Sequence, residues 1–183
     1  IESGQRVVII GAGTIGLMSI LTSRAAGASE ICVLARHPHQ AQAARALGAN
    51  AVFESVDAVI KQLGDAPVDC VIETVGGHAA TLADAVRTVR PGGVVAMLGV
   101  FQGAAQIPAL DFSSKEVTLV GSNCYARHGA RTDFEIAIGL LRNHTNALSG
   151  LVTHRFPLDQ INEAFRTAAD KHSGSIKVHL TPA

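Results

Sequence analysis

The 183-residue sequence predicts an α/β fold, a doubly wound parallel sheet of six strands followed by a C-terminal strand–helix–strand appendage. Three observations carry the prediction. Short, almost wholly apolar runs (VVII at 7–10, ICVL at 31–34, CVI at 70–72, VVAML at 94–98) alternate with segments whose apolar residues recur at helical spacing. These runs lack the polar–apolar alternation of a strand with one wet face, so both faces of the sheet are expected to be covered. Gly11, Gly13 and Gly16 stand between the first run and the first helical segment, where a strand must turn sharply into a helix.

The elements follow in order. The first strand is expected over 5–10. A helix over 14–26 carries Ile15, Met18, Leu21 and Ala25 at helical spacing, and Gly27 closes it. The second strand is 31–34. Pro38 suits the first turn of a helix that runs to Leu47 and ends at Gly48. A short strand at 51–53 precedes a helix over 56–63. Strand four is DCVIET at 69–74, and a helix over 79–89 stops at Pro91-Gly92-Gly93. Strands five and six are 94–98 and 117–121, and a helix follows over 134–142. Residues 151–183 then give a strand, a helix from Leu158 to about Ala169, and a last strand over 176–180. The division expected is therefore a dinucleotide domain over 1–150 and a distinct C-terminal segment over 151–183.

Composition excludes several classes. With 15 Lys plus Arg against 15 Asp plus Glu the net charge is zero, which leaves no broad surface for nucleic acid or an anionic membrane. Hydrophobic residues make up 48% of the chain, enough for a packed core and too many for a disordered segment. No apolar run approaches the ~20 residues of a membrane span, and no signal peptide opens the sequence. Cys32, Cys70 and Cys124 form no C-x-x-C pair. The first two lie inside strand-like runs, as buried reduced thiols of a cytoplasmic protein would. The histidines show no metal-ligand spacing, so no metal site is expected.

The pattern G-x-G-x-x-G in its strand–turn–helix setting points to a dinucleotide, the signature of a Rossmann domain. Gly11 permits the turn, Gly13 lets the backbone approach a pyrophosphate, and Gly16 brings helix and strand close. Thr14 and Ile15 open the helix, whose free N–H groups favour an anion. An acid that holds the adenosine ribose is expected about 20 residues on. Ala35 stands there instead, followed by Arg36 and His37. A carboxylate would repel a 2′-phosphate. Alanine leaves room for one, and arginine matches phosphate geometry. The reading is NADP(H), with NAD left possible if Arg36 and His37 are only solvated loop residues. The strand ends TVGG at 74–77, LGV at 98–100 and GSNC at 121–124 also place small residues beside the expected cleft.

Together VVIIGAGTIGLM, AARALGAN, DCVIETVGG, VRPGGVVAMLGV and THRFPLDQINEAFRTAADKHSGSIKVHL resemble the cofactor domain of the medium-chain dehydrogenase/reductase family, in its zinc-dependent alcohol and polyol dehydrogenase branch. The last segment is the most specific, because ordinary Rossmann domains lack it. The resemblance implies that Val75 flanks the adenine side. It places Leu98, Gly99 and Val100 at the nicotinamide half, and Ser122, Asn123 and Cys124 at the carboxamide through backbone groups. Lys177 would stand near the phosphates. It also implies a homodimer or homotetramer that pairs through strand 117–121. The family's zinc ligands and proton relay lie in a catalytic domain before the cofactor domain, and no such residues are found here. The chain is therefore expected to bind cofactor without catalytic residues of its own, and to turn over no alcohol or carbonyl substrate alone. A zinc-free quinone or enoyl reductase of the same family, and a non-catalytic dinucleotide sensor, remain as other readings. Part of the apolar face of the helix from Leu158 is expected to pack on that catalytic domain.

Overall fold

The computed structural model describes residues 1–170 and 172–182. Six parallel strands form the main sheet: β1 (Arg6–Ile10), β2 (Glu30–Leu34), β3 (Ala51–Phe53), β4 (Cys70–Glu73), β5 (Val94–Met97) and β6 (Thr118–Gly121). Their order is β3-β2-β1-β4-β5-β6. The order reverses at β1 and β4, so the crevice between their carboxyl ends is where an open α/β sheet holds a ligand.

The strands connect through α1 (Thr14–Ala25), α2 (Pro38–Ala46), α3 (Val56–Leu63), α4 (Thr81–Thr88) and α5 (Ala109–Ser114). Side chains of one strand serve two cores. Val7 and Ile9 of β1 join Leu17 and Ile20 of α1 on one face. Val8 and Ile10 join Val59, Leu82 and Val86 of α3 and α4 on the other. Burial on both faces explains why the runs are apolar throughout. Gly27 and Gly48, both at φ +95, reverse the chain after α1 and α2, a backbone conformation that suits glycine.

Helix α4 begins two residues later than its apolar pattern suggests. The Ala79 N–H donates to the Gly76 carbonyl, so the chain is still turning there. A hairpin of β7 (Arg127–His128) and β8 (Arg131–Thr132), the short α5, and α7 (Thr145–Ser149) were not legible, since each is too short to show a period. Helix α6 (Asp133–Asn143) begins with a capping box, Thr132 and Glu135 bonding each other's backbone N–H.

The appendage is a βαβ unit of its own. Strands β9 (Val152–Pro157) and β10 (Lys177–Thr181) pair in parallel, with α8 (Ile161–Ala169) between them. The first turn expected of that helix, Leu158–Gln160, is a 3-10 turn. Of Ile161, Ala164, Phe165 and Ala168, which recur at helical spacing in α8, Ala164 alone is buried, and Phe165 is 68% exposed. The unit is held to the main domain by buried Leu151, by Ile176 against the α1 side of the core, and by the Thr14 hydroxyl, which donates to the Ile176 carbonyl at 3.1 Å. Among the described residues no helix is long and apolar enough to cross a membrane.

Candidate dinucleotide site

The three fingerprint glycines each meet a different constraint. Gly11 has φ +102, and a Cβ on it would come within 2.7 Å of Val75 Cγ2 and 2.8 Å of Thr74 Oγ1. A Cβ on Gly16 would overlap the carbonyl oxygen of Gly11. A Cβ on Gly13 would meet no protein atom within 4 Å, so it would project into open space. The roles of turn, packing and approach thus separate as the motif requires.

Gly11 and Gly13 form one wall of a cleft of about 530 Å³ at the carboxyl ends of β1, β2 and β4. Arg36 and His37 line it after β2, Glu54 after the neighbouring β3, Asp57 from α3, Val75 at the end of β4 and Asp84 from α4. Arg87 bonds Asp57 at 2.8 Å and Asp84 at 3.3 Å, and its single positive charge is shared between the two acids. Arg36 makes no ion pair or hydrogen bond among the described residues. Ala35 is the correction. It is only 3% exposed, packs in the core on the α1 side and does not line the cleft. The basic side chains at this strand end are Arg36 and His37, and Ala35 supports the strand end from behind.

A second hollow, about 340 Å³, opens beside the phosphate loop and is lined by Gly13, Thr14, Gln40, Ser175 and Lys177. The appendage therefore places Lys177 next to the first turn of α1. Ile15 lies at that turn with its side chain 54% exposed. Leu98, Gly99 and Val100 lie outside the cleft at the end of β5, and Ser122, Asn123 and Cys124 follow β6 beside them. The backbone of that last trio is partly used. The Ser122 N–H donates to Met97 and the Cys124 N–H to Asn123 Oδ1, so these two amides are spent inside the protein.

Glu73, at the end of β4, was not legible as a site residue. It is fully buried. Its Oε1 accepts from the Val75 N–H at 2.8 Å, the Gly76 N–H at 3.0 Å and the Thr81 hydroxyl at 2.8 Å. Its backbone carbonyl accepts from Leu98 and Gly99. Glu73 thus ties the loop at 74–77 to the loop at 98–101, and the Gly77 N–H reinforces the tie by donating to Val100 O at 2.8 Å. The available signal was an acid closing an otherwise apolar strand just before Thr74-Val75-Gly76-Gly77.

Residues 14–143 match the family described as zinc-binding dehydrogenase. The chain belongs to that family. Among its relatives, L-arabinitol 4-dehydrogenase of Aureobasidium melanogenum is 31% identical over 98% of the chain and 50% of the relative. The crystal structure of 2R,3R-butanediol dehydrogenase from Bacillus subtilis superposes with TM-score 0.81 at 27% identity, covering 100% of this chain and 52% of that one. A zinc-binding dehydrogenase from Sinorhizobium meliloti 1021, bound to NADP, superposes with TM-score 0.80 at 28% identity, covering 100% of this chain and 54% of that one. The chain spans about half the length of the curated relatives it matches.

The described residues fit a dinucleotide but not a metal. The glycine cradle is open only at Gly13, next to a helix N-terminus with no acid in its first turn. No group of three or more His, Cys, Asp or Glu among the described residues could hold a metal ion. Cys32 and Cys70 are buried free thiols, and burial together with the neighbouring Glu30 pushes the Cys32 thiol up to about 11. Cys124 is free and exposed.

Proposed function

We propose that the chain is the nicotinamide-cofactor-binding part of an alcohol or polyol dehydrogenase, and that it takes NADP(H) in preference to NAD(H). The observation that carries the preference is Arg36, a guanidinium on the wall of the cleft with no ion-pair or hydrogen-bond partner among the described residues. A 2′-phosphate needs a cation there, and a guanidinium binds it through two parallel hydrogen bonds. The polyol and alcohol dehydrogenase names of the relatives, and the NADP bound by the Sinorhizobium protein, support the same reading.

On this reading residues 1–150 hold the cofactor and 151–183 complete its phosphate side. Gly11, Gly13, Thr14 and Gly16 seat the pyrophosphate on α1. Arg36 and His37 meet the adenosine 2′-phosphate, and Val75 packs on the adenosine side. Lys177 adds charge from the appendage. Ile15, Leu98, Gly99 and Val100 give the nicotinamide an apolar bed, with the carbonyls of Ser122, Asn123 and Cys124 available to its carboxamide. The bound nicotinamide supplies the hydride chemistry. Zinc, proton relay and substrate pocket are assigned to a catalytic domain outside these residues, so the chain alone should bind cofactor without turning over an alcohol or carbonyl. Its buried reduced thiols suit a cytoplasmic protein.

The test is a parallel titration of NADPH and NADH by fluorescence or calorimetry. NADPH should bind at least about tenfold tighter, the effect of one hydrogen bond to a charged group. Equal affinities, or tighter NADH, would refute the preference.

Self-association through β6 is part of the same proposal. This strand is the edge of the sheet and Val120 is 45% exposed on it. The N–H groups of Thr118 and Ser122 donate inward to Gly93 and Met97 of the β5 side. By alternation the N–H of Leu119 and Gly121 faces outward. Thr118 is therefore the wrong place for an edge-breaking proline, and Val120 shares its inward phase. Gly121→Pro is expected to turn a dimer into a monomer in sedimentation at micromolar concentration, as is Val120→Lys. A wild-type chain that sediments as a monomer would remove the proposal.

A further inference from the structure

Three histidines from two distant parts of the chain meet at the edge of the cleft. His37 is the N-cap of α2 and His39 lies in its first turn. Their rings stack with centroids 5.6 Å apart. His172, in the loop between α8 and β10, meets His37 edge-on at 5.9 Å. The cluster sits on the ridge between the two hollows, since Gln40 lines both, His37 lines the cleft and Ser175 lines the hollow beside the phosphate loop. The Ser175 backbone also touches the His39 ring.

We propose that His37, His39 and His172 form, with Arg36, a protonation-controlled subsite for the 2′-phosphate, closed from the appendage by His172. This rests on the NADP(H) reading and adds to it a second cationic wall and a dependence on pH. The described acids that line the cleft or touch the cluster are Glu54, Asp57, Asp84 and Asp170. Asp57 and Asp84 are held by Arg87. Glu54 follows Phe53, the register partner of Leu34, and lines the cleft beside the end of β2, while Asp170 accepts from the His172 backbone N–H at 2.8 Å. Lys177 adds positive charge in the adjoining hollow.

Without an anion, charging neighbouring imidazoles is opposed. Burial, then the charge of His37, hold His39 below the ordinary histidine value. A bound dianion reverses this, favouring the protonated rings and raising their pKa. Binding therefore takes up protons, so affinity for the phosphorylated cofactor is greatest at low pH and falls as pH rises past the raised imidazole values.

Calorimetry of NADP⁺ and NAD⁺ in buffers of different ionisation enthalpy, near pH 7.5, reads this directly. A phosphate monoester is already mostly dianionic there, with a second pKa of about 6. NADP⁺ is expected to take up on the order of half a proton and NAD⁺ none. His172→Gln should at least halve the uptake and weaken NADP⁺ severalfold, with NAD⁺ titrated in parallel as the measure of the rest of the cleft. Tighter binding of NADP⁺ than NAD⁺ with no proton uptake, or with uptake unchanged in His172→Gln, overturns the histidine subsite and leaves the Arg36 preference standing. Equal binding of the two cofactors at every pH overturns both.

Discussion

Gly16→Ala is expected to abolish dinucleotide binding and to lower the melting temperature, whereas Gly13→Ala abolishes binding alone. The structure separates the two. A Cβ on Gly16 would overlap the Gly11 carbonyl oxygen and come within 2.9 Å of Thr74 Oγ1. The colliding atom is backbone in the phosphate loop, so the loop itself must move. Forced overpacking typically costs about 1–3 kcal/mol. For a chain of this size that corresponds to a fall of roughly 3–10 °C in melting temperature. The displaced loop would no longer present its turn to a pyrophosphate. A Cβ on Gly13 meets no protein atom within 4 Å and should leave the melting temperature unchanged while filling the space that the ligand needs. Thermal melts with and without NADPH decide this. A Gly16→Ala protein that still gains stability from NADPH would show that the loop does not carry the pyrophosphate.

Arg36→Ala is expected to weaken NADPH by about ten- to hundredfold, or about 1.5–3 kcal/mol, and to change NADH little. The guanidinium lines the cleft, has no protein partner among the described residues, and is exposed, so its loss leaves no buried acid unpaired. Arg36→Glu should be worse for NADPH, because it brings a carboxylate towards the phosphate. An acid at position 35 is the poorer choice for reversing the preference. Ala35 is 3% exposed in the core, and a carboxylate forced in there would cost stability before it reached a ribose. Parallel titrations of the two cofactors check the result. If Arg36→Ala weakened both equally, the arginine would be serving a group common to them, and the NADP(H) assignment would fall.

Much of the site was legible because it is local. Gly11, Gly13 and Gly16 lie within six residues, and the strand before and helix after them are marked by apolar period. Arg36 and His37 follow directly from the end of the second run. Glu73 was missed because its partners, Val75, Gly76, Thr81 and the loop at 98–99, acquire meaning only when β4 and β5 lie side by side. The same holds for the spent amides of Ser122 and Cys124.

By itself the sequence determined that this chain is a parallel α/β sheet with a dinucleotide loop, because hydrophobic period and glycine placement act over a few residues. It also marked the strand end where an acid is absent and a base present. The tertiary structure alone decided which of those residues reach the cleft. Ala35 went to the core and Arg36 to the wall, since neighbouring residues at a strand end take opposite sides of the sheet. It alone brought His172 to His37 and Lys177 to Thr14 across more than 130 residues of chain, through the parallel pairing of β9 with β10 and the bond from Thr14 to Ile176. Contacts of that separation depend on how whole elements pack, and no local period in the sequence encodes them.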